Sequence, residues 1–110
     1  MPLSEKVRVE IFIPDLPEPM YSRLVEELGD EMTFAFGGCT TIQGSGKYLE
    51  DEGSILPDRV NLLFTDVPLR WEADRLAIER YANILRGIVA DALLKEESVL
   101  IALYPVSHAR

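Results

Sequence analysis

The middle of the chain carries two strand-like segments separated by a short acidic turn. The first segment spans residues 40–50 and the second spans residues 55–67, with the turn at Glu50 to Ser54. Gly44-Ser45-Gly46 interrupts the first segment, and glycines inside a strand often mark a bulge. Pro57 is tolerated only at a sheet edge or a bulge, so the distal half of the hairpin is expected to project from the sheet. These features predict a long β-hairpin, with a strand–helix unit before it and a helix–strand unit after it.

The first unit is a strand followed by a helix. Polar and apolar residues alternate from Lys6 to Ile13, which is a strong strand signal. Pro14 is expected to end this strand because proline has no N–H to donate. Apolar residues then recur at helical spacing after Pro19. This helix is expected to end between Gly29 and Phe36.

The second unit is a long helix followed by a short strand. Trp71 to Leu94 carries a wide apolar stripe, and Gly87 within it suggests that something packs closely at that point. Residues 95–98 are polar and predict an exit loop. Val99 to Tyr104 is almost wholly apolar, which favours a central strand. Pro105 is expected to end the strand and to leave a frayed tail.

The order of elements is β-α-β-β-α-β over one domain, residues 1–110. This order predicts a ferredoxin-like α+β fold, in which two helices cover one face of a four-stranded antiparallel sheet. The β2–β3 hairpin is expected to be extended. Right-handed crossovers are expected to place the first and last strands in the centre, with the hairpin strands outside.

The sheet should have one face that no helix covers. The residues predicted to point toward the helices are Val7, Val9, Ile11, Ile13, Ile42, Val60, Leu62 and Phe64. The opposite face would carry Arg8, Glu10, Phe12, Thr41, Gln43, Asn61, Leu63 and Thr65, with either Leu100, Ala102 and Tyr104 or Val99, Ile101 and Leu103 from the last strand. Either set leaves an apolar patch exposed on a monomer. We expect a second copy of the chain to bury this face in a homodimer, with the hairpin contacting and supporting the partner.

The hairpin has a recognisable pattern: Gly38-x-Thr40 or Thr41, then Gly44-x-Gly46-x-Tyr48, then an acidic turn with Gly53 and an apolar strand. This pattern resembles a family of small uncharacterised bacterial proteins, a domain of unknown function with a βαββαβ layout. The layout is also similar to the dimeric α+β barrel proteins. That similarity implies a dimer, and it implies activities such as those of small monooxygenases, muconolactone isomerase-like enzymes or ligand-sensing regulators.

The composition disfavours several classes of partner. The net charge of −8 disfavours binding to nucleic acid and to anionic membranes. Cys39 is the single cysteine, so no intrachain disulfide can form, which fits a reducing compartment. The N-terminal residues lack the apolar core of a signal peptide, and no apolar run approaches the length of a membrane span. We therefore expect a cytoplasmic protein.

Motifs of established chemistry are weak in this chain. Gly44-Ser45-Gly46-Lys47 lacks the helix and the Ser or Thr that a phosphate-binding loop requires. Cys39 would need a base, and His108, the only histidine, is expected to lie in a mobile tail. One histidine and one cysteine cannot build a usual zinc site, so no metal and no cofactor is expected.

The more suggestive residues are the polar groups expected on the uncovered sheet face. An apolar surface with a few convergent polar groups is the usual form of a small-molecule site. The candidate ligand-binding residues are Arg8, Glu10, Thr41, Gln43, Asn61, Thr65 and Tyr104. The alternative, in which no ligand binds, is that these groups hydrogen-bond across a hydrated dimer interface.

Three functions remain open from the sequence. The favoured hypothesis is a non-catalytic homodimer that serves as an interaction or small-ligand-binding module. The alternative is a cofactor-free enzyme of the dimeric α+β barrel type, an isomerase or an oxygenase, that uses the polar groups of the sheet. A weaker alternative is a PII-like regulator that senses nucleotides through the hairpin.

Overall fold

The computed structural model of the protein describes residues 3–93 and 99–109. One antiparallel sheet and two helices form the fold: β1 (Leu3–Pro14), α1 (Pro19–Phe36), β2 (Thr40–Leu49), β3 (Ile55–Val67), α2 (Arg75–Ala92) and β4 (Leu100–Ala109). This is the ferredoxin-like α+β layout predicted from the order of elements. The exit loop predicted at residues 95–98 lies outside the described residues.

The strand order in the sheet is β2-β3-β1-β4, with every neighbouring pair antiparallel. The expectation was right for β1, which is central, and for β2, which lies at an edge, but wrong for the other two strands, since β4 is an edge strand and β3 is central. The reason lies in the connections between the strands. The crossover through α1 leaves a gap of one strand between β1 and β2, and the hairpin returns β3 into that gap.

One face of the sheet and both helices enclose the core. The fully buried side chains of β1 are Val7, Val9, Ile11 and Ile13, as the alternation predicted. They pack against Leu24, Leu28 and Met32 from α1 and against Ile78, Leu85 and Val89 from α2. In the described part of the chain, no helix is long and apolar enough to cross a membrane.

The predicted face of β3 was wrong. Leu63, Thr65 and Val67 are buried opposite Ile11, Val9 and Val7. Val60, Leu62 and Phe64 therefore point away from the helices, and so does Ile42, which pairs with Leu62. Both faces of this strand are apolar, so hydrophobicity alone does not choose between them. Asp66 determines which face of β3 is buried. It lies on the same face as Phe64, and an ionised carboxylate is costly to bury in the core.

An identifiable feature sets the end of α1 and another sets the start of α2. Gly37 has φ 88° at the C-terminus of α1, and its N–H donates to the carbonyl of Thr33 at 2.8 Å. This stop falls at the end of the predicted window. α2 begins at Arg75, four residues later than the predicted start at Trp71, because residues 71–74 form a turn. The Asp74 carboxylate accepts the Arg70 N–H at 2.7 Å across that turn.

The hairpin has one unbroken register from Thr40↔Phe64 to Leu49↔Ile55, so the bulge expected at Gly44 to Gly46 is absent. The predicted turn at residues 50–54 is present, with Gly53 at φ 93°. β1 pairs with β3 only from Val60 onward, so residues 55–59 pair with β2 alone. The distal half of the hairpin, residues 45–59, thus projects as predicted, and we call it the arm.

The last strand is longer than expected. β4 continues through Pro105 to Ala109 and pairs with β1 as far as Leu3. An edge strand accepts proline because the position of its missing N–H can face solvent. The residues expected to fray are therefore part of the sheet, and His108 lies opposite Ser4.

Candidate functional site

A charged cluster lies on the face of the sheet opposite the helices, which we call the open face. Arg8 donates from Nε to Asp66 Oδ1 at 2.7 Å and from Nη2 to Asp66 Oδ2 at 2.9 Å. His108 Nε2 lies 2.7 Å from Asp66 Oδ2. Neighbouring strands place these residues together, since Arg8 pairs directly with Asp66 and His108 comes from the far edge. The Asp66 side chain is 13% exposed, so the cluster is partly shielded from water.

Opposite charges within this cluster stabilise each other. Hydrogen bonds from the Arg8 guanidinium hold the pKa of Asp66 below its usual range, and the hydrogen bond from His108 acts in the same direction. The carboxylate in turn raises the pKa of Arg8, so the pair stays ionised at neutral pH. The guanidinium carbon also lies 4.8 Å from the centre of the Phe64 ring, a cation–π arrangement.

The arrangement determines how His108 can act. An ionised carboxylate only accepts hydrogen bonds, so Nε2 must carry the proton that points to Asp66. In the neutral ring the other nitrogen, Nδ1, is then an acceptor. A histidine oriented by a carboxylate in this way can take up a proton from a ligand or substrate.

A second pair lies beside this cluster. The Tyr104 hydroxyl donates to the Glu10 carboxylate. This hydrogen bond raises the pKa of Tyr104 above its ordinary value. Arg8 lies directly opposite Tyr104 on β4, so the two pairs are adjacent on the open face.

Apolar side chains surround the charged residues. Phe12, Leu62 and Phe64 are half-buried in the middle of the open face. Leu100 is 60% exposed at one edge and Ile42 is 48% exposed at the other. Together these side chains form an apolar stripe across the open face. Farther along the arm, Tyr48 pairs with Leu56 on the same side of the hairpin and continues the stripe. A monomer thus presents a long apolar surface that contains a few fixed polar groups.

A groove lies on the other side of the sheet, between the first turns of α1 and the helix-facing side of β2. We call it the β2 groove; its volume is about 620 Å³. Its lining includes Thr41, Gln43 and Asn61, three of the residues predicted for the open face. They lie on the helix side because Thr41 pairs with buried Leu63 and Gln43 pairs with Asn61.

The predicted site residues are therefore divided among three places. Arg8, Glu10 and Tyr104 lie together on the open face, and Thr41, Gln43 and Asn61 lie in the β2 groove. Thr65 belongs to neither place. It is 8% exposed, and its hydroxyl donates to the carbonyl of Gly38 at 2.8 Å, which ties β3 to the start of β2.

Sequence reasoning missed Asp66 and His108. The charge of Asp66 indicates which face of β3 points away from the core, but the sequence analysis assigned the opposite face. For His108 the signal was the alternation of Ala102, Tyr104 and Val106, which continues to residue 108 on one face. This alternation was overlooked because Pro105 was expected to end the strand.

Other candidates gain no support from the geometry. Burial raises the pKa of the Cys39 thiol, which disfavours the nucleophilic thiolate. Lys47 lies within a continuous strand, with no helix start beside it to bind a phosphate. Across residues 3–93 and 99–109, no three His, Cys, Asp or Glu side chains are grouped closely enough to hold a metal ion.

Comparison of the chain with protein-family models, curated proteins and solved structures finds no match. A shared fold does not imply a shared function. The open face and the β2 groove must therefore supply the functional inference.

Proposed function

We propose that this protein is a non-catalytic homodimer that serves as an interaction or small-ligand-binding module. The open faces of two copies pack against each other in this proposal, and each arm reaches along the partner. The protein acts in the cytoplasm, where the single thiol of Cys39 stays reduced.

The exposed apolar stripe of the open face carries the proposal. It runs from Leu100 at one edge to Ile42 at the other and continues onto the arm. A second copy is the fitting occupant, because a two-fold interface is self-complementary. The charged groups favour this occupant too. Arg8 and Asp66 neutralise each other within one chain, so two copies can meet without an unpaired charge from this pair.

Sedimentation velocity of the full chain tests the dimer. Leu100→Glu places a charge in the interface of both copies and should raise the dimer dissociation constant by roughly 100-fold. Leu76→Glu is the matched control, since Leu76 on α2 is 59% exposed and Leu100 is 60% exposed. A native protein that is monomeric at micromolar concentration would refute the proposal. Dissociation by Leu76→Glu alone would place the interface on the helices instead.

A cofactor-free enzyme is the second candidate, and the His108–Asp66 pair favours it. A histidine oriented by a carboxylate is a common general base, and the apolar open face would exclude water once it is covered. An isomerase of this kind would remove a proton beside a carbonyl group. Incubation with simple 2-keto acids in D₂O, followed by NMR, should then show α-proton exchange that His108→Gln abolishes. Exchange at the same rate in His108→Gln would count against this candidate.

A further inference from the structure

We infer that the β2 groove binds a small neutral molecule with adjacent hydrogen-bond donors and acceptors, such as a heterocyclic base or a primary carboxamide. This inference rests on the ligand-binding part of the proposed function. It does not depend on the open-face dimer, because the groove lies on the opposite side of the sheet.

The first argument is a pair of carboxamides on neighbouring strands that line the same groove. Gln43 and Asn61 lie directly opposite each other on β2 and β3, so their Cβ atoms are close enough for both to contact one ligand. None of the side-chain hydrogen bonds among the described residues involves Thr41, Gln43 or Asn61. A carboxamide offers a donor and an acceptor side by side, which matches an amide or the edge of a base.

The second argument is the charge of the groove. Asp15 is the only acidic or basic residue among the described residues that line the groove. The Asp15 carboxylate is already paired, since its Oδ2 lies 3.1 Å from Arg59 Nη2. A cationic ligand would have to compete with Arg59 for this carboxylate, and an anionic ligand would have to compete with Asp15 for Arg59. The existing ion pair therefore leaves the groove without an uncompensated charge, which favours a neutral ligand.

The third argument is shape and rigidity. A volume of about 620 Å³ lies within the usual range for small-molecule sites. Leu16 and Val25 supply apolar walls, and Tyr21 adds an aromatic ring. The floor is fixed because the Asp15 N–H donates to the Arg59 carbonyl at 2.9 Å, which ties the β1–α1 loop to the base of the arm. A ligand would enter a groove that is already formed.

Nitrogen–proton correlation NMR of the full chain tests the inference with nicotinamide and its acid analogue nicotinate. The two probes share one ring and differ only in a neutral amide against a carboxylate. Nicotinamide at up to about 10 mM, a concentration suited to weak fragments, should shift the amide signals of residues 15–16, 20–25, 41–43 and 61 saturably. Nicotinate should bind at least roughly threefold more weakly, because it lacks the amide donor and carries a charge.

Isosteric variants locate the site. Gln43→Met and Asn61→Leu remove the carboxamides with little change of volume, and each should weaken nicotinamide binding by about three- to tenfold. Asn83→Leu, on the exposed side of α2, makes the same chemical change outside the lining of the groove and should leave binding unchanged. If Asn61→Leu loses its dispersed spectrum, exposed Gln43 still provides the test.

Several outcomes would overturn the inference. They are equal binding of nicotinate, shifts confined to other residues, unchanged affinity in Gln43→Met, or no saturable shift at all. The dimer is judged separately on the same samples by sedimentation. Groove binding that persists in Leu100→Glu would support the site whether or not that variant is monomeric. A native monomer that binds nicotinamide in the groove would refute only the dimer.

Discussion

Replacing Asp66 with asparagine removes the anion that holds the open-face cluster together. Asp66 accepts two hydrogen bonds from Arg8, at 2.7 and 2.9 Å, and contacts His108 at 2.7 Å. The carboxamide of Asp66→Asn keeps one acceptor but turns an NH₂ group toward the Arg8 donors. The guanidinium, whose side chain is 31% exposed, then stays partly buried without its counter-charge.

The expected loss follows from the burial of the pair. A hydrogen bond to a charged group contributes about 1.5–3 kcal/mol, whereas an exposed ion pair contributes about 0–1 kcal/mol. The exposed fractions of 13% and 31% lie between these limits. We expect Asp66→Asn to lower the free energy of unfolding by about 2 kcal/mol at pH 7. For a domain of this size the thermal midpoint should fall by about 8 °C.

The loss should depend on pH in a defined direction. The Arg8 hydrogen bonds lower the pKa of Asp66 in the folded protein. A lowered carboxyl pKa contributes stability that is complete above the unfolded-state pKa of about 4 and is lost as the pH falls through the folded-state value. The difference between native protein and Asp66→Asn should therefore be full at pH 6 to 7 and should shrink below about pH 4.

Urea unfolding at pH 7, 5, 3 and 2 measures this difference. The protein concentration must be held constant, because a dimer gains apparent stability with concentration. Asp91→Asn on α2, an exposed position, is the matched control and should change stability by less than about 0.5 kcal/mol. An Asp66→Asn loss that equals the control at pH 7, or that stays constant down to pH 2, would refute the cluster as a stabilising element.

Two further substitutions test the packing of the helices. Gly87→Ala should stabilise the protein by about 0.8–1 kcal/mol, because Gly87 lies within α2 and a Cβ there, apart from its chain neighbours and its own helix backbone, would meet no atom of the described residues within 4 Å. A destabilised variant in urea unfolding would show that close packing does occur there, as the sequence suggested. Tyr81→Phe should raise stability by about 1 kcal/mol, because the buried Tyr81 hydroxyl has no hydrogen-bond partner in the part of the chain described. The ring contact with Phe36, at 4.8 Å, would be kept, so a lower thermal midpoint for Tyr81→Phe would show that the hydroxyl is satisfied in solution.

The candidate sites could be predicted only in part. Arg8 and Glu10 were placed on the open face correctly, since alternation along β1 fixes that face. The sequence left the face of the last strand open, and the pairing of Tyr104 with Arg8 decides it. Thr41, Gln43 and Asn61 were correctly grouped with one another but assigned to the wrong side of the sheet. Their grouping follows from the hairpin register, whereas their side follows from the face of β3. One error in the face of β3 therefore displaced four candidate residues together, these three and Thr65.

Local chemistry in the sequence determined the order of the elements, the inward face of β1, the acidic turn and the projecting arm. Alternation, proline and glycine act over a few residues, so they can be read without knowing the fold. Only the tertiary structure decided that β3 lies in the centre and β4 at an edge, because the gap left by the α1 crossover accepts the nearest free strand. The same long-range pairing carried β4 past Pro105 and brought His108 to Asp66, which are 42 positions apart in the chain.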